Sequence, residues 1–76
     1  MPPPFSTFLE AHRDVVHRVL VAYVGPDEAD DCLQETFIKA LHAIGELREA
    51  GALRGWLTTI ARNTARTWLS RRVRER

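Results

Sequence analysis

A chain of 76 residues is long enough for one domain and excludes a multidomain enzyme; at this size only about 60% of the unfolded surface is buried on folding. The composition, 45% hydrophobic and 28% charged, is that of an ordinary soluble globular protein. Cys32 is the only cysteine, which excludes an internal disulfide and suits a reducing cytoplasm.

The longest apolar run, Val19 to Val24, is far too short to span a bilayer, and the start Met1-Pro2-Pro3-Pro4 lacks the basic and apolar regions of a signal peptide. A cytoplasmic protein with no membrane contact is therefore expected. The net charge of +1 hides a division along the chain. Asp27, Glu28, Asp30, Asp31 and Glu35 stand together without a base. Residues 53–76 hold seven arginines (Arg54, Arg62, Arg66, Arg71, Arg72, Arg74, Arg76) against the single acid Glu75. Two readings stay open on charge alone: a polyanion partner for the basic end, or acids and bases placed to suit helix dipoles.

The first helix is predicted over 5–24. Thr7-Phe8-Leu9-Glu10 has the form of a capping box, and Phe8, Leu9, Val15, Val16, Val19, Leu20 and Tyr23 recur at helical spacing. Gly25-Pro26 breaks it. The second helix is predicted over 27–45, with Asp27 as N-cap and an apolar stripe of Ala29, Cys32, Leu33, Phe37, Ala40, Leu41 and Ile44. A polar joint over 46–52, between Gly45 and Leu53, leads to a third helix over 53–76. Its stripe is Leu53, Trp56, Leu57, Ile60, Ala61, Thr64 and Trp68, and its last residues, 73–76, are expected to fray. No segment alternates with period two. The expected fold is all-α, a small three-helix bundle with antiparallel neighbours, in a single domain over 1–76.

Catalytic chemistry has no visible seat. His12 and His17 are five apart, on different faces of a helix, and His42 has no cysteine or histidine at ligand spacing. There is no phosphate-binding glycine loop, and Cys32 lies on the apolar stripe. No metal, cofactor or enzymatic activity is expected.

The polar faces say more. On the second helix, Asp31, Gln34, Glu35, Ile38 and His42 point away from the core, with Lys39 beside them. Ile38 is either an isolated exposed apolar residue or the anchor of a protein-docking face. On the third helix the outward residues are Thr58, Thr59, Arg62, Asn63, Arg66, Thr67 and Ser70, types that grip phosphates and read base edges. No acid occurs between Glu49 and Glu75, whereas a merely solvated helix would mix in acids for ion pairing. This favours nucleic acid over a plain solvated face.

Two stretches resemble a known family. Asp31-Cys32-Leu33-Gln34-Glu35-Thr36-Phe37-Ile38-Lys39-Ala40-Leu41 resembles the polymerase-binding helix of sigma factors, marked by an acid-x-x-Gln-Glu run. Leu53-Arg54-Gly55-Trp56-Leu57-Thr58-Thr59-Ile60-Ala61-Arg62-Asn63-Thr64-Ala65 resembles the promoter-reading helix of the extracytoplasmic-function (ECF) group, with its Trp-Leu-x-x-Ile-Ala-x-Asn pattern. Both occur in the family's order, and the resemblance covers nearly the whole chain after the prolines. It implies a region 2 domain that binds core RNA polymerase and recognises and melts the minus-ten promoter element.

Position by position, the resemblance implies that Asp31, Gln34, Glu35, Ile38, Lys39 and His42 dock on the clamp helices of polymerase's largest subunit. Asn63 would hold a flipped base of the non-template strand, with the joint Arg48 to Ala52, including Gly51, completing the pocket. Arg54, Thr59, Arg62 and Arg66 would contact the DNA nearby. An anti-sigma factor is a further partner the resemblance admits. The chain departs from the family at Thr67, where an acid is common, and at Glu49-Ala50-Gly51-Ala52, which offers few hydrogen-bonding side chains. The family's second helical domain, which reads the minus-thirty-five element, would follow Arg76, so the chain is read as a domain cut from a longer protein. The competing reading is a helical adaptor that binds polymerase or another protein without DNA. The acid-free basic face of the third helix argues against it.

Overall fold

The computed structural model describes residues 5–75, apart from the side chains of Phe5, Ser6, Phe8 and Ala50, and every regular element among them is helical. The elements are α1 (Phe5–Ala11), α2 (Arg13–Val24), α3 (Pro26–Ala43) and α4 (Leu53–Arg74). Two 3-10 turns, Ile44–Glu46 and Ala50–Ala52, fill the connection before α4. α2, α3 and α4 each pack on the other two, and α1 packs on α2. The expected three-helix bundle is therefore present, with one short helix added in front.

That addition corrects the first predicted helix. The chain breaks at His12, whose φ of −109° and ψ of 3° leave the α region. Its N–H donates to the Leu9 carbonyl at 3.0 Å, a tight turn closing α1. Neither glycine nor proline marks this break, so periodicity runs through it unseen. Thr7 lies inside α1 and is exposed; with the helix starting at Phe5, it has no capping role. Phe8, placed on the apolar stripe by its spacing, lies outside the described side chains.

The second break falls where Gly25-Pro26 places it, but the cap is different. Gly25 has φ 86° and ψ 163°, a left-handed φ that side-chain-bearing residues rarely adopt. Its N–H donates to the Val21 carbonyl at 2.9 Å and its own carbonyl accepts from Ala29 at 3.1 Å, so one residue ends α2 and starts α3. Pro26 follows at the first turn, where its missing N–H leaves no bond unmade. Gly25 thus takes the cap position expected of Asp27, and Asp27 and Glu28 sit inside the first turn, where the helix dipole favours them.

Leu9, Val16, Leu20, Val24, Leu33, Leu53 and Leu57 are the larger buried side chains among the described residues. Ala29, Ala40, Ala61 and Ala65 are fully buried among them, and their small side chains let the helices approach closely. Thr36 and Thr64 are buried too, which the apolar stripe anticipated only for Thr64. Each hydroxyl donates to the carbonyl four residues back, Cys32 and Ile60, at 2.8 Å, so burial leaves no donor unpaired. Trp56 and Trp68 pack at the rim of this core, as their stripe positions imply. Leu41 departs from its stripe: it is 47% exposed. The C-terminus departs as well. Val73 and Arg74 are helical, and the Glu75 N–H still bonds to the Arg71 carbonyl at 3.0 Å. With extents of 48 × 21 × 16 Å, the bundle is barely two helices thick, so each long helix keeps a face in solvent.

Candidate functional site

The outward face of α3 is built around two exposed apolar residues. Ile38 is 48% and Leu41 47% exposed, with Asp31, Gln34 and His42 exposed around them. Gln34, Phe37, Ile38 and Leu41, with Arg13 and Asp30, line a shallow depression of about 310 Å³. Ile38 is exposed as its spacing implies. Leu41 joins it, one turn further on and on the same flank. One exposed leucine or isoleucine is unremarkable; two adjacent ones inside a polar rim have the make-up of a docking patch.

Both edges of α3 are tied to its neighbours. On one side His17 Nε2 lies 3.2 Å from Asp30 Oδ1. On the other, Arg72 pairs with Glu28 and also donates to the Val24 carbonyl at 3.4 Å. Arg71 Nη2 donates to Glu35 Oε1 at 3.4 Å. Glu35 therefore departs from the open face that its spacing suggests: it is half-buried at the seam with α4, and its Oε2 is buried with no partner among the described residues. Lys39 departs the other way. It lines a groove of about 250 Å³ between α3 and α4, with Ala43, Ile60, Asn63, Thr64 and Thr67. The structure thus sets Lys39 in one groove with Asn63, while it remains exposed on α3 next to Ile38.

The outward face of α4 carries Thr59, Arg62, Asn63, Arg66, Thr67 and Ser70, all exposed. Its hydroxyls are less free than the sequence suggests. Thr58, Thr59 and Thr67 donate to the carbonyls of Arg54, Gly55 and Asn63 at 2.7, 2.9 and 3.1 Å. Each oxygen is left chiefly as an acceptor. The Asn63 side chain, by contrast, makes no hydrogen bond among the described residues, so its amide donor and acceptor both face solvent. Arg48, Gly51 and Arg54 are exposed before and at the start of α4. About 13–14 Å of helix separates Arg54 from Asn63.

The arginines of α4 divide in two. Arg71 and Arg72 are held by Glu35 and Glu28. Arg54, Arg62, Arg66 and Arg74 are exposed and enter no ion pair among the described residues. Sequence counting treats all of them as one basic surface. The signal for the division was present: Glu28 and Glu35 are two turns apart, on one flank of their helix.

No group of three metal-binding side chains occurs among the described residues. Among the same residues, no helix is long and apolar enough to cross a membrane. Cys32 is buried between Glu35 and Thr36. Burial foremost, and then the Glu35 charge, push its thiol pKa up, so it stays protonated and unreactive.

Comparison with known proteins agrees with this geometry. The sigma-70 region 2 family model matches residues 8–75. The chain is 35% identical over 66 residues to the ECF RNA polymerase sigma-E factor of Haemophilus influenzae, covering 87% of this chain and 35% of that protein. It is 34% identical over 65 residues to the ECF RNA polymerase sigma-E factor of Escherichia coli, covering 86% and 34%. The RNA polymerase sigma factor YlaC of Bacillus subtilis is 40% identical over 48 residues, covering 63% and 28%. The chain thus spans about a third of the length of the curated relatives it matches. No solved structure matches it.

Proposed function

Because the chain belongs to the sigma-70 region 2 family, in its ECF branch, we propose that its two outward faces divide the work of transcription initiation. In this reading, α3 docks on the clamp helices of core RNA polymerase's largest subunit, while α4 recognises and melts the minus-ten element on the non-template strand. The observation that carries the reading is the state of Asn63, Arg62 and Arg66. All three stand exposed on one acid-free face, with no protein partner among the described residues to occupy them.

The chemistry follows from that state. A base presents all its edges only after leaving the stack, and extruding it costs a few kcal/mol. The Asn63 amide offers one donor and one acceptor side, enough for a bidentate contact that distinguishes bases. Arg62 and Arg66, one turn apart, would hold phosphates, which position the strand without reading it. Lys39 shares the Asn63 groove and on this reading serves the DNA side. Arg48, Gly51 and Arg54 would close the far end of the site. Ile38 and Leu41 form the apolar centre of the docking face, with Asp31, Gln34 and His42 as its rim. Glu35 reaches that face only by leaving Arg71. The domain acts in the cytoplasm by binding, with no chemistry of its own.

Transcription from promoters mutated singly across the minus-ten element tests the base-reading role. Asn63→Ala should relax preference at one position by about 1–3 kcal/mol, and Arg62→Ala should weaken all sequences alike. A uniform loss with Asn63→Ala would remove it from base reading. Docking is tested by capture of core polymerase: Ile38→Asp should abolish it at unchanged helicity, and retained capture would refute the assignment.

A further inference from the structure

Glu35 stands between two claims. It lies one turn beyond Asp31 and three residues before Ile38, beside the exposed face of α3, yet its carboxylate is turned to the seam with α4. There Arg71 Nη2 donates to Oε1 at 3.4 Å, while Oε2 is buried and accepts from nothing among the described residues. A well-formed pair of charged groups has its atoms about 2.7–2.9 Å apart, so this contact is a loose one. The Arg71 side chain is 51% exposed, and water screens what attraction remains. Arg72, the next residue, is held differently. It pairs with Glu28 on α3 and donates as well to the Val24 carbonyl at the end of α2. Arg72 thus has two acceptors on two helices, and Arg71 has one long contact to a half-satisfied carboxylate.

We propose that Arg71 is an internal competitor for Glu35, an autoinhibitory contact that docking on polymerase must displace. The inference rests on α3 being the docking face, as proposed above. A carboxylate only accepts, so the displacing group is a cationic side chain or an N–H donor on the polymerase surface. A guanidinium suits best, because it can serve both oxygens at once, which Arg71 in this geometry does not. A buried oxygen left without a donor is costly, and the partner that supplies one gains that difference. In the free domain part of the population holds Glu35 inward, and apparent affinity for polymerase falls with the fraction turned outward. For an ion pair as exposed as this one, removing the competitor raises affinity roughly two- to sixfold.

The test is capture of core polymerase by the full-length protein, read as Kd at low salt, with circular dichroism to confirm parental helicity. Arg71→Ala should tighten capture by the stated factor. Arg71→Gln, which keeps much of the stem and removes the charge, should do the same. Arg72→Ala removes an equal charge at the next position and should leave Kd near the parent value. Glu35→Gln should weaken capture, and adding Arg71→Ala to it should bring no gain. Unchanged or weaker capture by both Arg71 variants would overturn the inference and leave the pair a plain structural tie. Equal gains from Arg71→Ala and Arg72→Ala would overturn it as well, because net charge would then explain them; so would a gain that persists with Glu35→Gln. The docking reading is judged separately. It fails if Ile38→Asp still captures polymerase, whereas loss of capture by Ile38→Asp without a gain from the Arg71 variants sinks this inference alone.

Discussion

Leu33 and Leu41 make the same substitution a measurement of the docking face. Both lie on the apolar stripe of α3, yet Leu33 is 2% and Leu41 47% exposed. Leu→Ala removes about three methylene equivalents, worth about 0.8 kcal/mol each when fully buried, or about 2.4 kcal/mol. At Leu33 a cavity among Val16, Leu20 and Leu57 adds to this, giving about 3–4 kcal/mol. At Leu41 roughly half the transfer applies and solvent fills the space, so the loss is about 1 kcal/mol. A domain of this size has a total stability of about 4–11 kcal/mol, and 1 kcal/mol shifts Tm by about 4–8 °C. Thermal and urea denaturation followed by circular dichroism should therefore place Leu33→Ala at least about 10 °C below the parent and Leu41→Ala within about 8 °C. Leu41→Ala, but not a fold-neutral change elsewhere, should then weaken capture of core polymerase. Equal destabilisation by the two variants would mean that Leu41 is buried and that the apolar centre of the proposed docking face does not exist.

Three further outcomes are expected. Gly25→Ala should cost about 1 kcal/mol in urea unfolding. Nothing lies within 4 Å of the added Cβ, so the penalty comes from the backbone alone: φ 86° with ψ 163° is a region essentially confined to glycine, and Gly25→Asn should be penalised as well. A double-mutant cycle of Glu28→Ala and Arg72→Ala should give a coupling below about 1 kcal/mol, because both side chains are more than a third exposed; a larger value would mean the pair is better shielded than its exposure implies. Cys32 should react slowly with thiol reagents in the native chain and quickly in denaturant. Because its folded pKa is raised, the unfolded chain ionises first. Its stabilising effect is complete below the ordinary thiol pKa of about 8.5 and is lost as pH rises through the folded value. Stability of the parent should accordingly fall more steeply than that of Cys32→Ala above that pH.

Much of this was legible in the residues. The recurrence of apolar residues every 3.6 positions around Leu20, around Leu33 and around Leu57, each among polar neighbours, pointed to three long helices. Gly25-Pro26 determined a sharp joint, because few other pairs supply a left-handed φ followed by a residue that needs no N–H bond. The outward placement of Asn63, Arg62 and Arg66 followed from the same periodicity, since a helix converts spacing into direction by local geometry alone. The break at His12 had no such signal: it is a small dihedral departure with no required residue type.

What only the tertiary structure decided concerns neighbours distant in sequence. Spacing shows which way a side chain leaves its helix, but not whether another helix stands there. Leu33 and Leu41 share a stripe, yet the neighbouring helices cover the first and not the second. Arg71 and Arg66 belong to one basic stretch, yet Glu35 on α3 neutralises the first and nothing among the described residues reaches the second. Lys39 and Asn63 are 24 residues apart by their numbers, and only the packing of α3 on α4 sets both in one groove. Local geometry is written in short-range patterns; cover, pairing and shared cavities arise from packing between helices, which no single helix encodes.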